Sequence, residues 1–171
     1  MQALKESAWV QRVAAEAPAV SASPVSAAAI GLPGVKTLAV VPVDASTLNG
    51  KVTVVNFWAT WCVPCIAELP TFNKIHHDFA AKGVAVLGVA MDDEGAERVT
   101  PFLKKHPIDY PLALGSDPVV KKYDVESYPV TIVFDRSGKQ VERFTESLTE
   151  AKLLAAIQKL MADAIMRPLD D

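Results

Sequence analysis

Val52-Thr53-Val54-Val55-Asn56-Phe57-Trp58 runs through Ala59-Thr60-Trp61 into Cys62-Val63-Pro64-Cys65, and this passage decides the fold. Its first seven residues are nearly all β-branched or aromatic, the composition of a strand buried on both faces. Pro64 suits the first turn of a helix, where its missing N–H would have had no partner. The passage therefore predicts a buried strand that delivers two cysteines, one helical turn apart, to the start of a helix over residues 62–81. In open α/β sheets, reactive side chains gather beyond the carboxyl ends of such strands.

Working outward, the same alternation continues. Residues 38–43 read as a strand that leads through Asn49-Gly50 as a turn, and 84–90 as a second buried strand ended by Asp92-Asp93. A helix over 94–106 is stopped by Pro107, and Asp117 is a candidate cap for a short helix through Tyr123. Pro70 falls inside the long helix, where a lost N–H and a ring clash predict a kink. Residues 130–134 and 139–144 form strands joined by the turn Asp135-Arg136-Ser137-Gly138. Ser147 with Glu150 has the spacing of a capping box. It precedes a helix whose apolar face uses Leu153, Leu154, Ile157, Leu160 and Met161. Strands alternating with helices, closed by a hairpin, predict an α/β architecture with a mixed sheet flanked by helices.

The two ends read differently. Residues 3–16 predict a short helix carrying Trp9, and the small-residue, proline-punctuated stretch that follows reads as a solvated linker. The expected division is an N-terminal helix and linker over 1–34, one domain over 35–166, and a frayed tail over 167–171. Residues 17–35 carry no charge, but Pro18, Pro24 and Pro33 and a weakly apolar composition argue against a membrane span. Lys5, Glu6, Arg12 and Glu16 interrupt the first stretch, so no signal peptide is recognisable there. A signal or anchor removed from upstream is compatible with the sequence.

A chain of 171 residues that is 50% apolar can bury one sizeable core. A net charge of -3, with scattered cations, gives no reason to expect nucleic acid or an anionic membrane as partner. The chain holds two cysteines. A bridge between positions 62 and 65 closes too small a loop to stabilise the fold much, so the pair points to chemistry.

Disulfide exchange needs a thiolate. A helix N-terminus offers free N–H groups and the positive end of the helix dipole, and in Cys-x-x-Cys sites the first cysteine titrates at roughly 3.5–7.5. Cys62 is the expected nucleophile, and Cys65, more buried and one turn away, the resolving thiol. Half of a zinc site has the same spacing, but no second cysteine pair exists. His76 and His77 lie three turns or more along the same helix and His106 is remote, so no metal and no cofactor is expected.

The passage from Asn56 to Cys65 resembles the active-site segment of thioredoxin-like proteins. The continuation Cys65-x-x-Glu68-x-Pro70 resembles in particular the TlpA/ResA branch of extracytoplasmic, often membrane-tethered thiol–disulfide oxidoreductases. The resemblance spans residues 35–160 and includes Met91-Asp92-Asp93, Tyr123-Asp124-Val125, Tyr128-Pro129-Val130-Thr131 and Phe134-Asp135-Arg136-Ser137-Gly138-Lys139. It implies a thioredoxin fold. It also implies a cis peptide before Pro129, close to the two sulfurs, where the backbone at Tyr128 could pair with an incoming peptide. Trp61 would lie beside the site as an apolar lid. Asn56 stands where thioredoxin keeps a buried, titrating aspartate, and Asn56 cannot titrate. Glu68, one turn past Cys65 on the same face, becomes the candidate proton partner.

These readings converge on dithiol–disulfide exchange with cysteine-containing protein substrates, with a membrane or soluble thiol reductase as electron donor. The resemblance favours a reductase outside the cytoplasm, periplasmic or tethered, with apocytochrome c among possible clients. An oxidase or isomerase on the same fold, or a Cu(I) carrier using the same cysteines with Met91 nearby, are the alternatives. A thiol peroxidase would want a Thr-x-x-Cys arrangement, whereas Thr60 stands two residues before Cys62.

Overall fold

The computed structural model describes residues 30–38 and 48–166. The expected helix at 3–16, most of the linker, the strand beyond Leu38 and the tail lie outside those residues.

Six strands form one sheet in the order β1-β4-β3-β2-β5-β6. They are β1 (Lys36–Thr37), β2 (Val52–Trp58), β3 (Val84–Ala90), β4 (Leu112–Leu114), β5 (Val130–Phe134) and β6 (Gln140–Phe144). Strand β2 lies centrally, parallel to β3 and antiparallel to β5, and every one of its residues is buried. Among the described residues four α-helices flank the sheet: α1 (Val63–Phe79), α2 (Ala96–Lys105), α3 (Asp117–Tyr123) and α4 (Glu150–Met166). This is a thioredoxin fold, mixed-sheet α/β as expected.

Side-chain alternation splits the core into two layers. Val52, Val54 and Trp58 of β2 pack with Val84 and Val86 of β3 against Phe72 and Ile75 of α1, Val99 of α2, and Leu153 and Ile157 of α4. Val55 and Phe57 point the other way, with Leu87, Val89 and Ile132, and meet Val119 of α3. The long helix thus covers the face of the sheet on which Asn56 also stands.

Three expectations need correction. The linker does not extend to residue 34 as a solvated stalk. Ile30 and Val35 are buried in the second layer, the Gly31 carbonyl accepts from Tyr123 Oη, and the Pro33 carbonyl accepts from Ser116 Oγ. A short strand at Lys36–Thr37, just before the expected one, pairs antiparallel with β4. Helix α3 is capped by Ser116 rather than Asp117, because the Val119 N–H donates to Ser116 Oγ. Helix α4 is capped by Thr149, whose Oγ1 accepts from the Lys152 N–H. Glu150 is then in the first turn, where it pairs with Lys74 of α1, and Ser147 takes no part.

Candidate active site

Strand β2 ends at Trp58, and four residues later Cys62 caps helix α1. The turn between them is fixed twice. The Cys62 N–H donates to the Ala59 carbonyl at 3.1 Å. Thr60 donates its N–H to both carboxylate oxygens of Asp92, at 3.2 and 3.1 Å, and its hydroxyl to Oδ1 at 2.5 Å. Asp92 follows β3, parallel to β2, so the two carboxyl strand ends are tied together directly below the cysteines. In the sequence Asp92 stands out only as part of a resemblance, because its partner lies 32 residues away and is brought near by the sheet.

Cys62 and Cys65 are joined in a disulfide of 2.08 Å. The Cys65 N–H points at Cys62 Sγ from 3.3 Å. An N–H so aimed, at the positive end of a 17-residue helix, stabilises negative charge on that sulfur when it is a thiolate. The helix runs on through Pro70 to Phe79.

Both cysteines are buried, Cys62 at 5% exposure and Cys65 at 0%, and the difference lies in their neighbours. In front, Trp61 is 62% exposed and Val63 74% exposed, and Pro64 beside them is exposed too. Trp61 stands edge-on to Tyr128, ring centroids 5.8 Å apart. Tyr128 precedes Pro129 across a cis peptide, and the register of Phe57 with Val130 sets Pro129 level with Trp58. Partial burial and the charges of Asp93 and Asp92 hold the Tyr128 hydroxyl in its protonated form. Trp61, Tyr128, Pro129 and Cys62 thus gather at one end of the sheet.

Behind, Cys65 is fully buried and Glu68 is 4% exposed. One carboxylate oxygen of Glu68 accepts the Leu148 N–H, and the other has no partner. Burial pushes the carboxyl up from 4.5 to about 6, against the smaller opposing effect of the Leu148 N–H. Glu68 is thus a titratable acid one helical turn behind Cys65. Asn56 lies deep in the sheet and donates to Thr131 Oγ1 at 3.1 Å.

Among the described residues no group of three His, Cys, Asp or Glu side chains is placed to hold a metal. His77 pairs with Asp109 at 2.9 Å on the surface, and His106 stacks on Phe102. Met91, weighed as a copper ligand, packs over Gly115 in the second layer, away from the layer that contains the cysteines.

Comparison with known proteins agrees with this geometry. The AhpC/TSA family matches residues 16–142. A thiol-disulfide oxidoreductase ResA of Bacillus cereus is 32% identical over 120 residues, 69% of this chain and 68% of its own. A thiol:disulfide interchange protein of the thioredoxin family from Chlorobium tepidum superposes with a TM-score of 0.66, at 24% identity over 74% of this chain and 90% of its own. A second protein of that organism, described as a putative thiol:disulfide interchange protein DsbE, gives 0.62 at 27% identity over 72% and 86%. With a close cysteine pair at the head of a helix on a thioredoxin fold, the chain belongs to the AhpC/TSA family and is a thiol–disulfide oxidoreductase of the ResA/DsbE type.

Proposed function

We propose that the protein is a reductase of protein disulfides working outside the cytoplasm. In the reduced enzyme the Cys62 thiolate attacks a client disulfide and the client's first sulfur leaves. Cys65, losing its proton to Glu68, then displaces the client from Cys62 and restores the disulfide. A membrane or soluble thiol reductase resets the pair. The observation that carries this reading is the asymmetry of the site. Trp61, Val63 and Tyr128 offer an apolar rim for an extended peptide beside Cys62, while Cys65 is backed by a buried acid.

The reducing direction and the compartment rest on the likeness to the TlpA/ResA branch. Among the described residues no helix is long and apolar enough to cross a membrane. Equilibration in thiol–disulfide buffers tests the direction. A potential near that of thioredoxin, about -270 mV, is expected, and one near that of DsbA, about -120 mV, would make the protein a disulfide donor. Labelling of intact cells with a membrane-impermeant maleimide after mild reduction tests the compartment. Modified Cys62 is expected, and an unmodified protein would place the site inside.

A further inference from the structure

Behind Cys65 the buried face holds polar atoms that the hydrogen bonding of the fold leaves over. Glu68 Oε2, Tyr110 Oη and Trp58 Nε1 are buried without partners. Tyr110 is 2% exposed and belongs to the same core layer as Cys65 and Phe72. Its ring meets Phe72 edge-on, centroids 6.1 Å apart, and Phe72 is one turn beyond Glu68 on α1. The absence of a side chain at Gly88 makes room for this grouping. A Cβ there would lie 3.0 Å from Tyr110 Cε2 and 3.2 Å from Trp58 Nε1.

We propose that Tyr110 is a positioning residue for disulfide exchange: through one water its hydroxyl donates to Glu68 Oε2, and it holds the carboxylate in the form that accepts the Cys65 proton. The inference rests on the reading of Glu68 as that proton partner. Burial and the charge of Glu68 both keep the Tyr110 hydroxyl protonated, so it is a donor at every working pH. The groups facing Glu68 are few. Cys65 lies one turn back on α1, the Leu148 N–H comes from the approach to α4, and Tyr110, whose hydroxyl feels the Glu68 charge, comes from the segment before β4. The nearby ion pair of Lys74 with Glu150 is on the surface. A carboxylate bound on one oxygen only is poorly compensated, and the hydroxyl supplies the missing donor when Glu68 takes up its charge.

The electron count closes on the client. Cys65–SH passes its proton to Glu68, and the Cys65 thiolate attacks Cys62 Sγ of the mixed disulfide. The Cys62–Cys65 bond forms, the bond from Cys62 to the client sulfur breaks, and the client thiolate takes a proton from Glu68 or solvent. The cysteine pair loses two electrons and the client disulfide gains them.

Two measurements on the full chain test this. The first is the titration of the Glu68 side-chain carboxyl by carbon-13 NMR in wild type and Tyr110→Phe, a change that keeps the ring against Phe72. Burial holds Glu68 above 4.5 in both proteins. The variant should titrate about one pH unit higher, the size of one hydrogen bond to a charged group. The second is the pH profile of single-turnover release of a glutathione adduct from Cys62. Its acid limb should move up with Glu68, slowing release about tenfold at pH 5 and little at pH 9. In a Glu68→Gln background the same tyrosine change should leave the profile where Glu68→Gln alone puts it. An unmoved Glu68 titration in Tyr110→Phe overturns the role of Tyr110 alone. A wild-type profile in Glu68→Gln overturns the role of Glu68, and that of Tyr110 with it.

Discussion

Cys62 and Cys65 are three residues apart on one helix, yet they belong to different environments. Around Cys62 the chain exposes large apolar side chains, which a stable fold would ordinarily bury, and holds them on a turn pinned by Asp92. Around Cys65 it buries an acid with one oxygen unsatisfied, which a stable fold would ordinarily expose. Each region departs from good packing in the opposite sense. In the proposed mechanism the front receives a client and the back handles a proton. The comparison teaches that the spacing of the pair matters less than the boundary that the first turn of α1 draws between its two sulfurs.

The most drastic way to break the comparison is to remove the front sulfur. Cys62→Ser should lower the rate of client disulfide reduction by roughly 10^3-fold or more, as loss of a covalent nucleophile does. A steady-state assay with a protein disulfide checks it.

Changing the back should act through pH. Glu68→Gln should slow turnover roughly 10- to 100-fold near neutrality, the scale of one general acid–base group, with little change in KM for the client. It should also change stability with a definite sign. A carboxyl whose folded value is raised from 4.5 to about 6 favours the fold while protonated. That contribution is present below about pH 4.5 and is lost as pH rises through 6. Wild type should therefore lose about 2 kcal/mol of stability across that window, and Glu68→Gln should not. Urea unfolding between pH 4 and 8 measures the slope.

The front should respond in binding. Trp61→Ala removes an exposed ring that the proposed mechanism offers to the client, a contact worth about 1 kcal/mol or more once the client covers it. The expected result is a client KM higher by roughly fivefold to tenfold, with Tm nearly unchanged, since surface substitutions usually fall within about 0.5 kcal/mol. A fall in kcat with KM unchanged would contradict a docking role.

The smallest effect separates the two threonine and serine positions before α4, whose approach supplies the Leu148 N–H to Glu68. Thr149→Ala should cost about 1 kcal/mol as a lost cap, and Ser147→Ala less than about 0.5. Equal costs from thermal unfolding would restore the capping box at Ser147.

How much of this could be read in advance follows from how local each feature is. Strands β2, β3 and β5 are continuous apolar runs, and the sequence places them to the residue. Cys62, Cys65 and Glu68 are one turn apart on a single helix, so their common end is legible from spacing alone. Strand β4 is not legible. Leu112-Ala113-Leu114 is three residues between Pro111 and Gly115 and exists because β3 and β1 pair with it from either side. With β4 unread, Tyr110 had no position in the fold. The caps of α3 and α4 each lie one or two residues from where composition put them, because neighbouring Ser, Thr and Asp compete for the same role and only geometry chooses. The clamp of Asp92 on Thr60 and the N–H of Leu148 on Glu68 join distant segments, so they follow from strand order and not from any motif.

The division of labour between the two sulfurs is tested most directly by trapping. Reduced Cys65→Ser and Cys62→Ser proteins would each be mixed with a protein disulfide, and the adducts weighed by intact mass spectrometry. The account predicts a lasting mixed disulfide on Cys62 in the first protein and essentially none in the second. An adduct forming on Cys65 as fast as on Cys62 would show that the deeper sulfur meets clients too, and the front and back would no longer be distinct.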